Sequence, residues 1–453
     1  MNARLNSPVN RLVIRFTPQL SALAFAVLTT GTLPVQAQNL EDLYQAARSY
    51  DAGYQSVLSA ASATLARGEQ AKAGIWPVAA FQMGASRSIL DVANAPSNTH
   101  FGGQSATLTA SQPLYRPSNW VNYEQGEKQT FIAKAQIQTA EQDLIIRTAQ
   151  TYFDVLAALD TLTFVNAQKA AVAEQLASAK RNFEVGTSTI TDTREAQARF
   201  DLVTAQEIAA ENDVRVKKMA LDQLVGKSNV EPKPLVIPLT LPQLAPNDVN
   251  QWVAATETSH PSITQARLAL EVAQLETTKA EAGHKPTLDL NASYGANRNQ
   301  GTATSTASTR STSGTVALAF NMPLFAGFAV QNRIKETLAL EDKARSDLDI
   351  AKRTVAQATR AAFFGVQSGL SSVKAFEAAE SSTQSALDAN KLGYQVGVRI
   401  NIDVLNSQSQ LFQTKRDLAK ARYDVLLAGL KLRQANGTLK AEDLSQVNAL
   451  LAK

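Results

Sequence analysis

The chain contains the same turn twice, and this repeat limits its possible folds more than any other feature. Each residue of the second copy lies 211 positions after its counterpart: Val185, Gly186 and Asp192, then Val396, Gly397 and Asp403. A Gly after the last apolar residue ends a helix, because only Gly adopts the left-handed conformation without strain, and an Asp six residues later can cap the next helix. The pattern predicts two helical hairpins with tips at Gly186 and Gly397, and thus two successive structural repeats.

The N-terminus has the features of a secretory signal peptide. Three arginines precede an apolar run at 20–28, and Val35-Gln36-Ala37 is a small-residue cleavage site, so Gln38 is the expected mature start. A transmembrane anchor is the weaker alternative, because the apolar run is interrupted at 29–31 and is too short to span a bilayer.

The composition excludes several classes of protein. Without the three signal-peptide arginines, 44 − 3 = 41 basic residues remain against 40 acidic ones, so a nucleic-acid partner has no support. The chain has no Cys and therefore no disulfide framework and no thiolate metal site. Export without disulfides fits a protein of the bacterial envelope.

Each repeat is expected to begin with a helix, at 39–72 in the first repeat. A pair of runs in which apolar and polar residues alternate follows this helix. The runs lie at 81–86, 106–111, 287–296 and 316–324, with polar loops expected at 91–103 and 299–314. Such alternation is typical of a transmembrane β-barrel wall, although any one strand fits a half-buried hairpin of a soluble domain equally well. Four strands cannot close a barrel, since known membrane barrels need at least about eight. If these strands cross a membrane, several chains must contribute.

A very long helix is expected after each strand pair. Residues 118–183 contain only Gly126 as an internal breaker and would form a rod of roughly 100 Å. Both long helices carry an apolar stripe with spacings of three and four, which favours coiled-coil packing over a globular core: Leu144, Thr148, Tyr152, Val155, Leu159 and Leu162, matched by Val355, Thr359, Phe363, Val366, Leu370 and Val373. Returning helices follow at 192–226, where Asp192 and Glu195 are expected to form a capping box, and at 403–437, where Asn406 replaces the Glu.

The predicted fold is mainly α-helical with a small β part. The expected divisions are the signal peptide (1–37), a first structural repeat (38–230), a Pro-rich linker (231–250), a second structural repeat (251–437) and a C-terminal segment (438–453).

The sequence contains no motif that predicts catalysis. The three histidines are scattered, without a pair at metal-ligand spacing, and Gly226-Lys227-Ser228 lacks the first Gly of a phosphate-binding loop, since Leu221 stands there. We therefore expect no enzymatic activity, no metal and no cofactor.

The order of these elements, with local sequence at 148–156 (TAQTYFDVL), 284–290 (HKPTLDL) and 394–399 (YQVGVR), closely resembles the TolC family of outer-membrane channels. The resemblance implies a homotrimer in the bacterial outer membrane, in which four strands per chain close one 12-stranded transmembrane β-barrel above a trimeric α-barrel of coiled-coil helices that extends into the periplasm. It also places the linker and the C-terminal segment around the middle of the helical barrel.

The function implied by the resemblance is a passive exit duct for a tripartite efflux pump, for type I protein secretion, or for both. Its partners would be a periplasmic adaptor (membrane fusion) protein and an inner-membrane transporter of the RND or ABC type. The cargo remains open, because selectivity would lie in those other chains.

Three sets of site residues follow from the resemblance. The closed periplasmic gate would comprise Thr191, Asp192, Tyr394 and Arg399, with Arg399 pairing Asp192 of a neighbouring chain; a plain helix cap is the alternative role of Asp192. The pore constriction would comprise Asp403 and Asn406. The adaptor-docking tips would comprise Val185, Gly186, Val396 and Gly397.

A trimeric surface coiled-coil adhesin or scaffold is the main alternative. It accounts for the stripes and for export, but it gives no reason for paired strands or matched turns. A general porin is disfavoured by the helical content, and an enzyme by the lack of clustered acids, bases and metal ligands.

Overall fold

The computed structural model describes residues 38–91, 99–236, 238–302 and 305–452. The expected signal peptide lies outside the described residues. The helices and strands occur in the same order in both halves of the chain: α1 (Leu40–Tyr50), α2 (Ala52–Ala71), β1 (Val78–Leu90), β2 (Thr99–Tyr115), α3 (Pro117–Glu184) and α4 (Ile190–Val225), then α5 (Val249–Ser259), α6 (Pro261–Glu281), β3 (Thr287–Thr302), β4 (Ser305–Asn321), α7 (Ala329–Gln395) and α8 (Asn401–Ala435), followed by α9 (Asp443–Asn448). The prediction of two internal repeats in a mainly α-helical fold with a small β part is confirmed.

The single helix expected at 39–72 is wrong, because the chain breaks at Asp51 into α1 and α2. The Asp51 carboxylate accepts a hydrogen bond from the Tyr54 backbone N–H at 2.7 Å, which caps α2, and it receives both guanidinium nitrogens of Arg147 at 2.9 and 3.0 Å. The same break occurs in the second repeat, where His260 Nδ1 accepts from the Ser262 N–H and Pro261 begins α6.

A glycine just after each returning helix packs against the corresponding break. Gly226 and Gly437 have φ values of 68° and 80°. A Cβ on Gly226 would lie 2.4 Å from a ring carbon of Tyr50, and a Cβ on Gly437 would lie 2.4 Å from the Cα of His260, so each glycine contacts the break in its own repeat. Glycine is required at both positions for its left-handed backbone and for this close approach.

The four strands form one antiparallel sheet in the order β1-β2-β3-β4, so β1 and β4 are its edges. The register places apolar side chains in rows on one face, as in the row of Phe81, Leu108 and Tyr294. The adjacent row on the other face is Gln82, Thr107, Gly295 and Ser313. The expected alternation is therefore present across the whole sheet, with one apolar face and one polar face.

The strands are longer than the sequence suggested. The loop expected at 299–314 is wrong, because β3 continues to Thr302 and β4 begins at Ser305. The loop expected at 91–103 is also too long, since β2 begins at Thr99; residues 92–98 lie outside the described residues. Ser, Thr and Gly are weak indicators of strand, and the long ladder between β3 and β4 overrides their local preference.

The sheet is joined to the helices through an ion pair between a buried carboxylate and an exposed arginine. Asp289, on β3 near the helical end of the sheet, is only 8% exposed and receives two guanidinium nitrogens of Arg116 at 2.8 and 2.7 Å. Arg116 immediately precedes α3. This bidentate contact fixes the direction in which the long helix leaves the sheet.

The long helices α3 and α7 contain 68 and 67 residues, which corresponds to roughly 100 Å each. Gly126, the internal breaker of α3, lies where α2 crosses: a Cβ on Gly126 would be 2.9 Å from the Ala71 Cβ, and a Cβ on Gly68 would be 3.1 Å from the Gly126 carbonyl oxygen. The glycine therefore permits close helix packing. No helix among the described residues is both long enough and apolar enough to cross a membrane.

Most of the predicted coiled-coil stripe is buried in both repeats, whereas Leu159, Leu162 and Leu370 are half-buried. Leu144, Tyr152 and Val155 have no exposed side-chain surface, and their counterparts Phe363 and Val366 are 4% exposed. The threonines of the stripe are tolerated because their hydroxyls are satisfied within the helices, by the carbonyl four residues earlier at 2.8 and 2.9 Å; Thr359 also donates to the Ala435 carbonyl across to α8.

The largest apolar core lies at the middle of α3. It combines α1, the centre of α3 and the ends of α4 and α8 with the linker and α9. The Tyr152 hydroxyl donates to the Lys233 carbonyl at 2.9 Å, and the linker pairs with the C-terminus through the Val236 N–H to the Leu450 carbonyl at 3.0 Å. The linker and the C-terminal segment are therefore packed together beside the centre of the long helix.

Candidate functional site

The first hairpin tip is closed by a Schellman turn. Gly186 has φ 79°, the Thr187 N–H donates to the Asn182 carbonyl at 2.8 Å, and the Gly186 N–H donates to the Phe183 carbonyl at 3.0 Å. These bonds satisfy carbonyls that a helix end would otherwise leave unpaired.

The second tip repeats this geometry. Gly397 has φ 79°, the Val398 N–H donates to the Gly393 carbonyl at 2.9 Å, and the Gly397 N–H donates to the Tyr394 carbonyl at 3.1 Å. The prediction that Gly186 and Gly397 end the long helices in a left-handed conformation is confirmed.

Both tips expose apolar surface. Val185 is 72% exposed, Val396 is 64% exposed and Val398 is 78% exposed. A Cβ placed on Gly186 or Gly397 would meet no atom within 4 Å. The glycines at the tips are therefore needed for backbone conformation within this chain, and space remains open beside them.

The capping of α4 differs from the prediction. The N-cap is Thr189 and not Asp192. The acidic residue three positions later that completes the capping box is Asp192 and not Glu195. The Asp192 N–H donates to Thr189 Oγ1 at 3.2 Å, and the Thr189 N–H donates to the Asp192 carboxylate at 3.0 Å. Thr-x-x-Asp forms the box because Thr189 has the extended backbone of an N-cap, whereas Asp192 is already helical.

The Asp192 carboxylate is held by a dense set of donors. Besides the Thr189 N–H, the hydroxyls of Ser188 and Thr189 approach its Oδ2 at 2.7 and 2.9 Å. Burial acts to raise the pKa of this carboxyl, but the hydrogen bonds from Ser188 and Thr189 outweigh burial, so the pKa lies below its usual value. Asp192 is therefore ionised at neutral pH.

The second tip lacks such a box. The N-cap of α8 is Ile400, which provides no side-chain cap, and Asp403 takes the position equivalent to Asp192. The Asp403 carboxylate lies 3.7 Å from a guanidinium nitrogen of Arg399, one turn earlier. The negative charge of Asp403 is therefore partly compensated inside its own chain.

The two tips are packed against each other within one chain. Asn401 is completely buried; its Nδ2 donates to the Asp192 carbonyl at 3.3 Å, and its Oδ1 accepts from Gln175 of α3. The Tyr394 hydroxyl accepts from Asn182 Nδ2 at 3.2 Å. Polar contacts therefore connect the α3–α4 hairpin to the α7–α8 hairpin beside the turns.

Sequence reasoning missed Asn401, Asn182 and Gln175. The repeat itself carried a signal for Asn401, since the equivalent position of the first repeat is Ile190, which is 47% exposed. A polar residue where the other copy has an apolar one indicates a position at which the two hairpins meet different surroundings.

Two of the four expected gate residues, Asp192 and Tyr394, each contact the other hairpin of the same chain. Asp192 contacts Asn401 at the start of α8, Tyr394 contacts Asn182 at the end of α3, and Thr191 is exposed on the first turn of α4. Arg399 is exposed, and its ion pair within the described part of the chain is with Asp403 rather than Asp192. A pair between Arg399 and Asp192 of another chain stays a prediction.

The expected constriction residues lie one turn apart on α8. Asn406 is exposed, and its Oδ1 accepts a hydrogen bond from Arg199 of α4 at 2.8 Å. The second position therefore carries no carboxylate and has a cation beside it. Among the described residues, no group of three His, Cys, Asp or Glu side chains is placed to hold a metal ion.

Comparison with known proteins gives consistent results along the chain. The outer membrane efflux protein family matches residues 43–227 and 252–438, one match in each repeat. The chain is 32% identical to the outer membrane protein TolC of Vibrio cholerae serotype O1, over 94% of this chain and 96% of that protein. It is 28% identical to the alkaline protease secretion protein AprF of Pseudomonas aeruginosa, over 91% and 87% of the two chains.

A solved structure shares the fold. The outer membrane protein VceC of Vibrio cholerae matches with a TM-score of 0.74 over 88% of this chain and 96% of that chain, at 18% identity. At this identity the likeness shows the fold alone.

The lowered pKa of Asp192 leads to a pH-dependent prediction for the first tip. The carboxylate stabilises the tip above its unfolded pKa of about 4, and this contribution is lost as the pH falls through the lower folded pKa. We expect Asp192→Asn to lower the hydrogen-exchange protection of the 186–196 segment at pH 7, and the difference from the wild type to shrink as the pH falls from about 4 toward about 3. Exchange measured by mass spectrometry, corrected for intrinsic rates, tests this.

Glu195→Gln is the matched control, because Glu195 was the expected member of the capping box and the structure gives that role to Asp192. It should leave protection unchanged at both pH values. Equal loss of protection in the two variants at pH 7 would contradict the assignment of the box to Thr189 and Asp192.

Proposed function

Because the chain belongs to the outer membrane efflux protein family, we propose that three copies form a passive exit duct in the bacterial outer membrane. The duct serves a tripartite efflux pump, type I protein secretion, or both. It is gated at the tips of the helical hairpins, in the periplasm, and it opens when an adaptor and an inner-membrane transporter dock.

One observation carries this proposal: the sheet has one apolar face, one polar face and two unpaired edges. An apolar face toward lipid and a polar face toward a water-filled lumen is the pattern of a membrane barrel. An open edge in lipid leaves backbone N–H and C=O groups unsatisfied at a cost of several kcal/mol each, so β4 of one chain must pair with β1 of the next. Three chains then supply twelve strands.

The direction of the duct follows from the chain order. The helices leave the sheet at one end, next to Pro117 and Ala329, and the hairpins β1–β2 and β3–β4 turn at the other. Helices of roughly 100 Å, too polar to lie in lipid, extend from the membrane into the periplasm. The turns at Gly186 and Gly397 are then the parts of the chain farthest from the outer membrane.

The proposed gate is the ring of second hairpins at the tips. Within a chain, Asn401 and Tyr394 tie α7 and α8 to the first hairpin. Between chains, Arg399 exchanges its partner Asp403 for the ionised Asp192 of the neighbour, beside Thr191. An exposed ion pair contributes only about 0 to 1 kcal/mol, so three copies form a latch that a docking partner can release.

The proposed docking surface is the exposed apolar tip, with Val185, Gly186, Val396 and Gly397. An adaptor with helical hairpins of its own can approach closely because nothing lies within 4 Å above the two glycines. Energy for transport comes from an inner-membrane transporter of the RND or ABC type. The matching family is described as outer membrane efflux proteins and the relative AprF is named for protease secretion, so both uses are proposed.

A deletion strain tests the function directly. Sensitivity to hydrophobic drugs and the proteins released into the medium are measured in parallel, with the cloned gene as complementation. Loss of drug resistance, of a secreted protein or of both supports the duct and identifies its pathway. A surface adhesin predicts the opposite: unchanged resistance and secretion in a strain that lacks other ducts, with a loss of surface attachment.

The constriction gives a prediction for ion block. The trimer carries one ring of three Asp403 carboxylates, each beside an Arg399, so trivalent cations should block the channel weakly. Arg199→Gln combined with Asn406→Asp adds a second ring without its neighbouring cation, and we expect block by hexaamminecobalt(III) to become about tenfold tighter or more in single-channel recordings.

Asn332→Asp is the control for the added carboxylate, because it places one at the start of α7, far from the tips along the chain. It should not change the block. Tight block of the wild type, unaltered in the double variant, would show that Asn406 does not line the constriction.

The tips give a prediction for export. Gly397→Trp should reduce export by about tenfold or more while the trimer remains intact, because the bulky side chain keeps the adaptor away. Any side chain at φ 79° is strained, so Gly397→Asn serves as the control, since Asn tolerates the left-handed conformation best. Export and trimer content are measured in the same cells.

Gly397→Asn should retain most of the wild-type export. If both variants lose export equally, backbone strain rather than bulk is responsible. Normal export with Gly397→Trp in an intact trimer would exclude this contact.

A further inference from the structure

The apolar face of the sheet ends in a row of arginines. Going away from the helices, its cross-strand rows contain Leu290 and Leu318, then Ala292 and Val316, then Phe81, Leu108 and Tyr294, then Met83, Ala106 and Ala296. The next row contains Arg298 and Arg310, which lie directly opposite each other on β3 and β4. Because side chains alternate between faces, these two arginines point to the same side as the leucines and Tyr294.

A third arginine joins this row from the first hairpin. Arg87 lies on the same face of β1, one row further out, where it pairs with Gly102, and Gly102 pairs with Gln300. One shallow groove of about 340 Å³ is lined by Arg87, Gln104, Arg298 and Gln300, together with His100. Arg87 and Arg298 therefore border one groove, and Arg310 on β4 lies directly opposite Arg298.

These arginines have no anionic partner within the described residues. None of the three side chains makes an ion pair or a side-chain hydrogen bond there, and all three are exposed. The carboxylates of the described sheet are Asp289, paired with Arg116 at the opposite end, and Asp91, beyond the end of β1. The connecting sequences at 92–98 and 303–304 contain no Asp or Glu.

Like charges directly opposite each other destabilise a strand pair, and here the pair borders an apolar surface. A bound anion removes this penalty. Arginine favours an oxyanion with a planar or tetrahedral set of oxygens, because its guanidinium donates two parallel hydrogen bonds.

The position of the arginine row on the sheet indicates where the anion would come from. From Leu288 to Ala296 the apolar rows extend about 27 Å along β3, close to the height of about 25 Å of the apolar band of a membrane barrel. The arginines occupy the border of this band at the end away from the helices. If the proposed function is correct, that border faces the headgroups of the outer leaflet.

We propose that Arg298 and Arg310, assisted by Arg87, form a lipid-binding site on the outer wall of the barrel, specific for the phosphate groups of a phosphorylated lipid headgroup in the outer leaflet. This inference rests on the proposed function, because the membrane orientation comes from it. The site anchors the barrel at a fixed depth and screens the repulsion between β3 and β4.

Binding to the purified full-length trimer tests the site. Native mass spectrometry in a neutral detergent compares diphosphorylated lipid A with enzymatically dephosphorylated lipid A. We expect Arg298→Gln combined with Arg310→Gln to weaken binding of the phosphorylated form about tenfold or more and to leave the weak binding of the dephosphorylated form unchanged. Arg298→Lys with Arg310→Lys should give an intermediate affinity, since the charge remains and the paired donors are lost.

The control removes two cations from elsewhere, with Lys335→Gln and Arg353→Gln on the exposed surface of α7. It should bind lipid A like the wild type. Equal loss in the control and in the Arg298/Arg310 variant would overturn the site, because binding would then follow net charge alone.

Inorganic phosphate distinguishes the lipid from a free anion. Millimolar phosphate should not displace lipid A, because the acyl chains contact the apolar rows beside the arginines. Displacement at that concentration, or equal binding of phosphorylated and dephosphorylated lipid, would overturn the lipid site. Outer-membrane insertion and export by the wild type are assayed separately, so that failure of the duct itself is distinguished from failure of this site.

Discussion

Backbone N–H and C=O groups at the edges of a sheet in an apolar layer must be hydrogen-bonded, and the arrangement of the whole molecule depends on this requirement. The described sheet satisfies its inner ladders but leaves one side of β1 and one side of β4 open. Lipid offers no donor or acceptor, so the edges can be satisfied only by other chains. In the proposed duct, the two hairpins of one chain make one third of a twelve-stranded wall. The Arg116–Asp289 pair connects the first long helix to this sheet.

The two repeats share their architecture and differ at positions where the first hairpin contacts the second. Positions that set the backbone are the same in both: the left-handed glycines at the tips and at the ends of the returning helices. Positions that contact the other hairpin differ, as with Asn401 against Ile190 and Asn406 against Glu195. The first tip has a closed capping box around an ionised Asp192, whereas the second has only Arg399 beside Asp403. The less firmly capped second tip is the one that the proposed gate requires to move.

The sequence predicted what local physics determines. A left-handed glycine between two apolar periodicities allows few alternatives, so the glycines that end the long helices and most of the buried stripe were predicted correctly. The break at Asp51 was not predicted, because it depends on Arg147, nearly a hundred residues away, and nothing near Asp51 resembles the Pro261 that marks the equivalent break. The Ser- and Thr-rich strand ends were missed for a similar reason, since their ladder partners rather than their own propensity decide their conformation. Residues of the candidate site stay predictions wherever they depend on contacts between chains.

The distribution of apolar packing favours movement at the tips, as the proposed gate requires. The largest core surrounds the middle of α3, where the linker, α1 and α9 pack against several helices at once. Toward the tips the clusters become small, and near the second turn Leu387, Val404 and Leu411 form a cluster of their own with Tyr394 packed against them. Local opening costs least where few apolar contacts are lost. A hairpin fixed at its centre and lightly packed at its end can therefore swing at the tip, while the wide core beside Tyr152 keeps the rest of the helical wall in place.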